Sequence, residues 1–142
     1  MKVLIKRFDK SLPLPEYKTE GAAAFDLYAR EETLIPAHQV KLVPLNIAIQ
    51  LPVDHWALLS ARSSLHKMGL MVANGIGVGD YDYRGDGDEY KAALLNFTDQ
   101  EVVVKKGDRL VQMIIMSRES VEFEELDQFG AENRGGFGST GK

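Results

Sequence analysis

Two prolines, Pro44 and Pro52, fence the run Leu45-Asn46-Ile47-Ala48-Ile49-Gln50-Leu51, in which large apolar side chains alternate with smaller or polar ones. A period of two belongs to a strand with one face on a core and the other toward solvent, and proline, lacking the N–H that a ladder needs, closes such a strand. Similar short runs recur at Val3 to Ile5, Trp56 to Leu59, Ala92 to Phe97, Val102 to Val104, Leu110 to Met116 and Val121 to Phe123. Turn residues separate them, notably Lys106-Gly107-Asp108. No segment sustains a helical period for three turns, and the best short candidate, Ser64 to Met68, is stopped by Gly69. Many short strands joined by turns predict an all-β fold, a jelly-roll-like barrel or sandwich.

A chain of 142 residues suits one domain. Apolar residues at 44% and charged residues at 27% are ordinary for a packed globular protein. The net charge of -4, from 17 Lys and Arg against 21 Asp and Glu, offers no broad field for a nucleic-acid backbone, although a local arginine cluster can still hold a small anion. With no cysteine there is no disulfide and no thiolate chemistry, and three scattered histidines (His38, His55, His66) do not suit a zinc site. No apolar stretch reaches the roughly 20 residues of a membrane span, so a cytoplasmic location is expected. From Gly130 onward glycine and hydroxyl residues replace the apolar pattern, which predicts a domain over 1–129 and a mobile arm over 130–142.

Four clusters carry candidate chemistry, and each has an ordinary reading beside the functional one. Ala61-Arg62-Ser63-Ser64 opens the short helical pattern. Its serines serve as N-caps, while Arg62 beside them suggests an anion. Gly77-Val78-Gly79-Asp80-Tyr81-Asp82-Tyr83-Arg84-Gly85 reads as a polar turn, or as a loop whose glycines admit a ligand near a carboxylate base and an aromatic ring. The run Asp86-Gly87-Asp88-Glu89 lacks calcium-loop spacing and reads as a solvated loop. Gly107-Asp108-Arg109-Leu110-Val111-Gln112 is a turn entering a strand, and Asn133 to Lys142 is a glycine-rich tail with the ingredients of a phosphate cradle and one aromatic, Phe137.

In their order along the chain these clusters resemble the five motifs of the trimeric dUTP pyrophosphatase family, from about Gly21 to the C-terminus. The first motif is Ala23-Ala24-Phe25-Asp26-Leu27-Tyr28-Ala29, the second Arg62-Ser63-Ser64 through Gly69, the third Asn74 through Gly85, the fourth Gly107 to Gln112 and the fifth Gly135 to Gly141. The chain departs from the usual pattern at Ala24, Ala61 and Gly79, in the place of Arg134 directly before Gly135, and in a longer stretch from Asp86 to Tyr90. Those departures mark a divergent branch of the bacterial or phage kind.

The resemblance implies hydrolysis of dUTP to dUMP and diphosphate in a homotrimer with magnesium, the ion held mainly by the triphosphate and water. It implies Asp80 as the general base toward a water attacking the α-phosphorus and Asp26 as a holder of metal-bound water. Arg62, Ser63, Ser64 and Gln112 would meet the phosphates, and Asn74 with the hairpin backbone around Gly77 would read uracil. Tyr83 would pack on deoxyribose. Phe137 would stack on the base, and Arg134, Gly138, Ser139 and Thr140 would close over the phosphates. Motifs one, two and four would come from one subunit, the third from a second and the tail from a third. A related dCTP deaminase would need a glutamate in the strand after the third motif, where this chain reads Lys91-Ala92-Ala93-Leu94-Leu95-Asn96. A regulatory protein partner would meet the 86–90 stretch.

Overall fold

The computed structural model describes residues 1–138. Eleven strands and one 3₁₀ turn follow in the order β1 (Leu4–Arg7), β2 (Phe25–Tyr28), β3 (Thr33–Ile35), β4 (Val40–Pro44), β5 (Ile47–Gln50), β6 (His55–Ala61), the turn Leu65–Met68, β7 (Leu70–Val72), β8 (Gly77–Gly79), β9 (Lys91–Asn96), β10 (Val102–Val104) and β11 (Arg109–Ser117). They form a four-stranded sheet β2-β11-β6-β8, a three-stranded sheet β4-β9-β7 and two pairs, β1-β5 and β3-β10. Every pairing is antiparallel, and strands far apart in sequence lie side by side, as in a jelly roll. The all-β expectation holds.

Alternation explains which faces meet. Ala57 and Leu59 point inward from β6, Ala92 and Leu94 from β9, and Leu27, Val43, Leu70, Val111 and Met113 join them in one continuous core drawn from both sheets. Burying each large apolar side chain is worth about 1.5–3 kcal/mol, so this layer is what fixes strand register.

Three expectations are corrected. The strand predicted from Leu45 begins at Ile47, because Asn46 adopts φ +69. Asn46 tolerates that left-handed turn because its carboxamide exchanges hydrogen bonds with Asp9, accepting from the backbone N–H at 2.6 Å and donating to the carbonyl at 3.0 Å. Val121 to Phe123 forms no strand: both ends are exposed and no neighbour pairs with them among the described residues. High β-propensity needs a partner edge to act on. The run Asp86 to Glu89 is not wholly solvated, since Glu89 is 6% exposed and Tyr90 beside it 6%. The Glu89 carboxylate accepts Arg30 Nε at 2.7 Å, Arg30 Nη2 at 3.1 Å and the Asn46 N–H at 2.9 Å, and these charge-assisted bonds make its burial tolerable.

The 3₁₀ turn sits where a short helix was expected and ends at Gly69, φ +76, whose N–H reaches the His66 carbonyl. A side chain at Gly69 would meet Thr98 at 2.3 Å, so glycine is needed there for space as well as for φ. Among the described residues no helix is long and apolar enough to cross a membrane.

Candidate active site

The first group of candidate residues gathers where β2, β11 and β6 run side by side. Asp26 on β2 lies opposite Gln112 on β11, which lies opposite Ser60 on β6. Directly paired residues share a face, and here it is the one turned away from Leu27 and Val111. Arg62 leaves the end of β6 with its N–H bonded to the Leu110 carbonyl and sends Nε to Asp26 at 2.8 Å. Arg109 Nη1 reaches the other Asp26 oxygen at 3.1 Å. One carboxylate therefore orients two guanidinium groups and leaves the cluster a net positive charge. Gln112 Nε2 donates to the Ala61 carbonyl at 3.0 Å and so faces the same strand end.

Ser63 and Ser64 are exposed beside this cluster. Ser64 occupies the N-cap position of the 3₁₀ turn, yet its side chain makes no cap hydrogen bond. The hydroxyl expected to be spent on a cap remains available. Guanidinium donors, two hydroxyls and a carboxamide at an exposed strand end suit an acceptor-rich, multiply charged anion.

The second group lies at a cleft of about 320 Å³ whose lining includes Leu59, Asn74, Gly77, Asp80, Tyr83 and Tyr90. Asn74 sits in the turn between β7 and β8, where Gly75 takes φ +75 and its N–H returns to the Val72 carbonyl at 3.1 Å. Gly77 lies opposite Leu59, and a side chain there would meet the Leu59 Cβ at 3.0 Å. Asp80 follows β8 directly, is exposed, and has no side-chain hydrogen bond or ion pair among the described residues. Tyr83 closes the next turn, its N–H returning to the Asp80 carbonyl at 3.2 Å.

Tyr83 is held from behind. Its hydroxyl donates to the Glu89 carbonyl at 2.9 Å, and its ring meets Tyr90 edge to face, with centroids 5.4 Å apart. Burial, with Asp88 and Glu89 nearby, pushes the Tyr83 phenol up from its usual range, so it stays neutral and remains a donor. The chain of support runs from Arg30 through Glu89 to Tyr83. Sequence reading missed its first two members because nothing local in the sequence shows that residues 30 and 89 touch.

One chain does not bring the two groups together. Arg62 follows the C-terminal end of β6, whereas Asp80 follows Gly79, which pairs with Ala57 near the other end. The five residues from Ala57 to Arg62, at about 3.3 Å each, put roughly 17 Å between the two positions. Among the described residues of the arm, Arg134, Phe137 and Gly138 are exposed, Phe137 and Gly138 with φ +50 and +84. Ser139 and Thr140 lie outside the described residues.

This fold, with a carboxylate-bearing cleft and a separate arginine cluster, can be compared with known proteins. The sequence model of the dUTPase family matches residues 10–141. A deoxyuridine 5'-triphosphate nucleotidohydrolase of Hydrogenobaculum sp. (strain Y04AAS1) is 40% identical, over 99% of each chain. Among solved structures, the dUTPase from Streptococcus mutans superposes with TM-score 0.76 at 31% identity, covering 84% of this chain and 98% of that one. The Staphylococcus bacteriophage 80alpha dUTPase with dUPNHPP shares the fold at TM-score 0.85 and 19% identity, over 99% of both chains. The chain belongs to the dUTPase family.

Proposed function

We propose that the chain hydrolyses dUTP to dUMP and diphosphate, with Asp80 taking a proton from the water that attacks the α-phosphorus. The bond from that phosphorus to the bridging oxygen breaks, and diphosphate leaves with the electron pair. The observation that carries the assignment of the base is the unpaired, exposed Asp80 carboxylate at the rim of the cleft shared with Asn74 and Tyr83. An unengaged carboxylate can accept a proton, whereas Asp26 already serves two arginines.

Phosphoryl transfer asks the protein mainly for positioning and charge stabilisation. Arg62 with Gln112, Ser63 and Ser64 is assigned to the phosphate chain, and Asn74 with the backbone near Gly77 to the uracil edge. The neutral Tyr83 ring packs on deoxyribose where a 2′-hydroxyl would collide.

Magnesium fits this donor set as an ion that arrives with the triphosphate. Each Asp26 oxygen keeps a second lone pair toward which a metal-bound water can donate, and no further protein ligand is required. When bound, the ion neutralises charge on the phosphate oxygens.

The distance between Arg62 and Asp80 within a chain supports assembly of each site from several copies in a homotrimer, with the arm supplying Arg134, Phe137, Gly138, Ser139 and Thr140 from a third. The test of the activity is diphosphate release with dUTP, UTP, dTTP and dCTP compared in magnesium: dUTP alone should be turned over efficiently. Ammonia release from dCTP would instead favour a deaminase, a reading that β9, Lys91–Asn96, does not support because it carries no carboxylate.

A further inference from the structure

In the wall of the cleft, Tyr90 is held through its backbone. Its N–H donates to the Ile47 carbonyl and its own carbonyl accepts the Leu45 N–H, each at 2.9 Å, so its backbone is bonded to both sides of Asn46. Its side chain points at the third-motif hairpin. The hydroxyl is buried with no hydrogen-bond partner among the described residues. A Cβ on Gly79 would stand 2.3 Å from that hydroxyl oxygen, 2.7 Å from Cε1 and 2.9 Å from Cζ. Tyr90 therefore occupies the volume that any side chain at position 79 would need. On its other side it meets Tyr83, which is 38% exposed and otherwise held by its single hydroxyl bond to Glu89.

A half-exposed ring on a turn keeps one orientation only if something rigid stands behind it. We infer that Tyr90 is a positioning residue for the choice between deoxyribonucleotide and ribonucleotide: its ring sets the plane of Tyr83, and Gly79 is the vacancy that lets it do so. The inference rests on the reading that Tyr83 senses the sugar. Tyr90 touches no substrate atom in this scheme. It acts through Tyr83, so its removal should admit the 2′-hydroxyl instead of stopping turnover.

The orphan hydroxyl is not what the scheme uses. Edge-to-face contact is a property of the ring, so phenylalanine should serve as well as tyrosine, while leucine, which keeps apolar bulk but has no ring edge, should not.

The experiment compares kcat/KM for dUTP and UTP in the full-length enzyme and its Tyr83→Ala, Tyr90→Phe, Tyr90→Leu, Gly79→Ala and Gly79→Ala/Tyr90→Leu variants. Tyr83→Ala should lower the dUTP to UTP ratio. Tyr90→Leu should lower it by roughly two- to tenfold, mainly through a smaller KM for UTP, the size expected from losing one aromatic pair. Tyr90→Phe should keep the parental ratio. Gly79→Ala should lower the ratio by pushing the ring aside, and should have no further effect once Tyr90 is leucine.

A Tyr90→Leu ratio equal to the parent's, with Tyr83→Ala still lowering it, overturns the role of Tyr90 and leaves that of Tyr83 standing. A parental ratio in Tyr83→Ala overturns both. An equal drop in Tyr90→Phe and Tyr90→Leu also overturns the inference, because the ring would not be what holds Tyr83. If Tyr90→Leu does not fold, Gly79→Ala decides alone, and a parental ratio there refutes the arrangement.

Discussion

The Asp26 carboxylate accepts Arg62 Nε at 2.8 Å across the end of the four-stranded sheet, so the arginine assigned to phosphate is aimed by an acid two strands away. Arg109 shares the same carboxylate at 3.1 Å. Asp26→Asn keeps one acceptor and replaces the other with a donor that faces a guanidinium. The misaimed arginine should lower kcat/KM for dUTP by roughly tenfold to a hundredfold, in line with the cost of small displacements at a reacting centre. Steady-state kinetics check it, and a parental kcat/KM would mean that Arg62 does not need Asp26.

Asp80→Asn should bind dUTP and fail to turn it over. The amide can hydrogen-bond a water but cannot accept its proton, and loss of a general base costs about a hundredfold or more in kcat. Calorimetric titration with a non-hydrolysable dUTP analogue, beside single-turnover kinetics, separates binding from chemistry. If turnover survives, Asp82 or Asp26 holds the role.

Glu89 is the prop behind Tyr83, and its burial makes it costly to lose. Glu89→Ala leaves Arg30 and the Asn46 N–H without their acceptor, which should cost about 2–3 kcal/mol of unfolding free energy, less than a fully enclosed pair because Arg30 keeps some contact with water. Urea unfolding measures it. A loss no larger than that of an exposed surface pair would place the ion pair outside the folding core.

How far the sequence was legible follows from which interactions are local. Turn chemistry around Gly69 and Lys106-Gly107-Asp108 and the alternation of β9, β10 and β11 are local, and these elements stand close to where the sequence predicts them, whereas β2, β3, β4 and β7 carry no strand signal that the sequence reading caught. Asn46 was misread because its left-handed φ depends on Asp9, 37 residues away. β8, Gly77–Gly79, has almost no side chains to alternate and exists because β6 offers it an edge. In the candidate site, the motif residues were visible one by one, but the clamp of Arg109 on Asp26 and the props Arg30, Glu89 and Tyr90 arise from strand register and chain crossings that no short window contains.

Tyr90 also gives the fold an alkaline limit. Burial pushes its phenol up to about 12 from an ordinary 10, with Tyr83 and then Asp80 adding smaller effects in the same direction. A group whose pKa is raised on folding contributes stability that is complete below its unfolded pKa and is lost as pH rises through the folded one. The native protein should thus weaken between pH 10 and about 12, with about 1 kcal/mol gone by pH 11 from this residue. Tyr90→Phe should remove that part of the slope, leaving the smaller part from Tyr83. Denaturant unfolding at pH 9 and pH 11 compares them, and identical slopes in parent and variant would count against the burial of the phenol.

The roughly 17 Å between Arg62 and the Ala57 position beside Asp80 leads to a test of how sites are shared. If Arg62, Asp80 and the arm at one site come from three chains, two dead variants can repair each other. Asp80→Asn lacks the base but keeps the arm, and a chain truncated after Phe129 keeps the base but lacks the arm. Unfolded together and refolded, they form mixed trimers. Going round the ring from base donor to arm donor, every mixed trimer has one place where a truncated chain precedes an Asp80→Asn chain, and that site has both parts. With equal random mixing about three quarters of trimers are mixed and each carries one working site in three, so roughly a quarter of parental activity should return. Were base and arm drawn from the same chain, no mixture would regain activity. An inactive mixture whose mixed trimers are seen by native mass spectrometry would therefore refute the shared site.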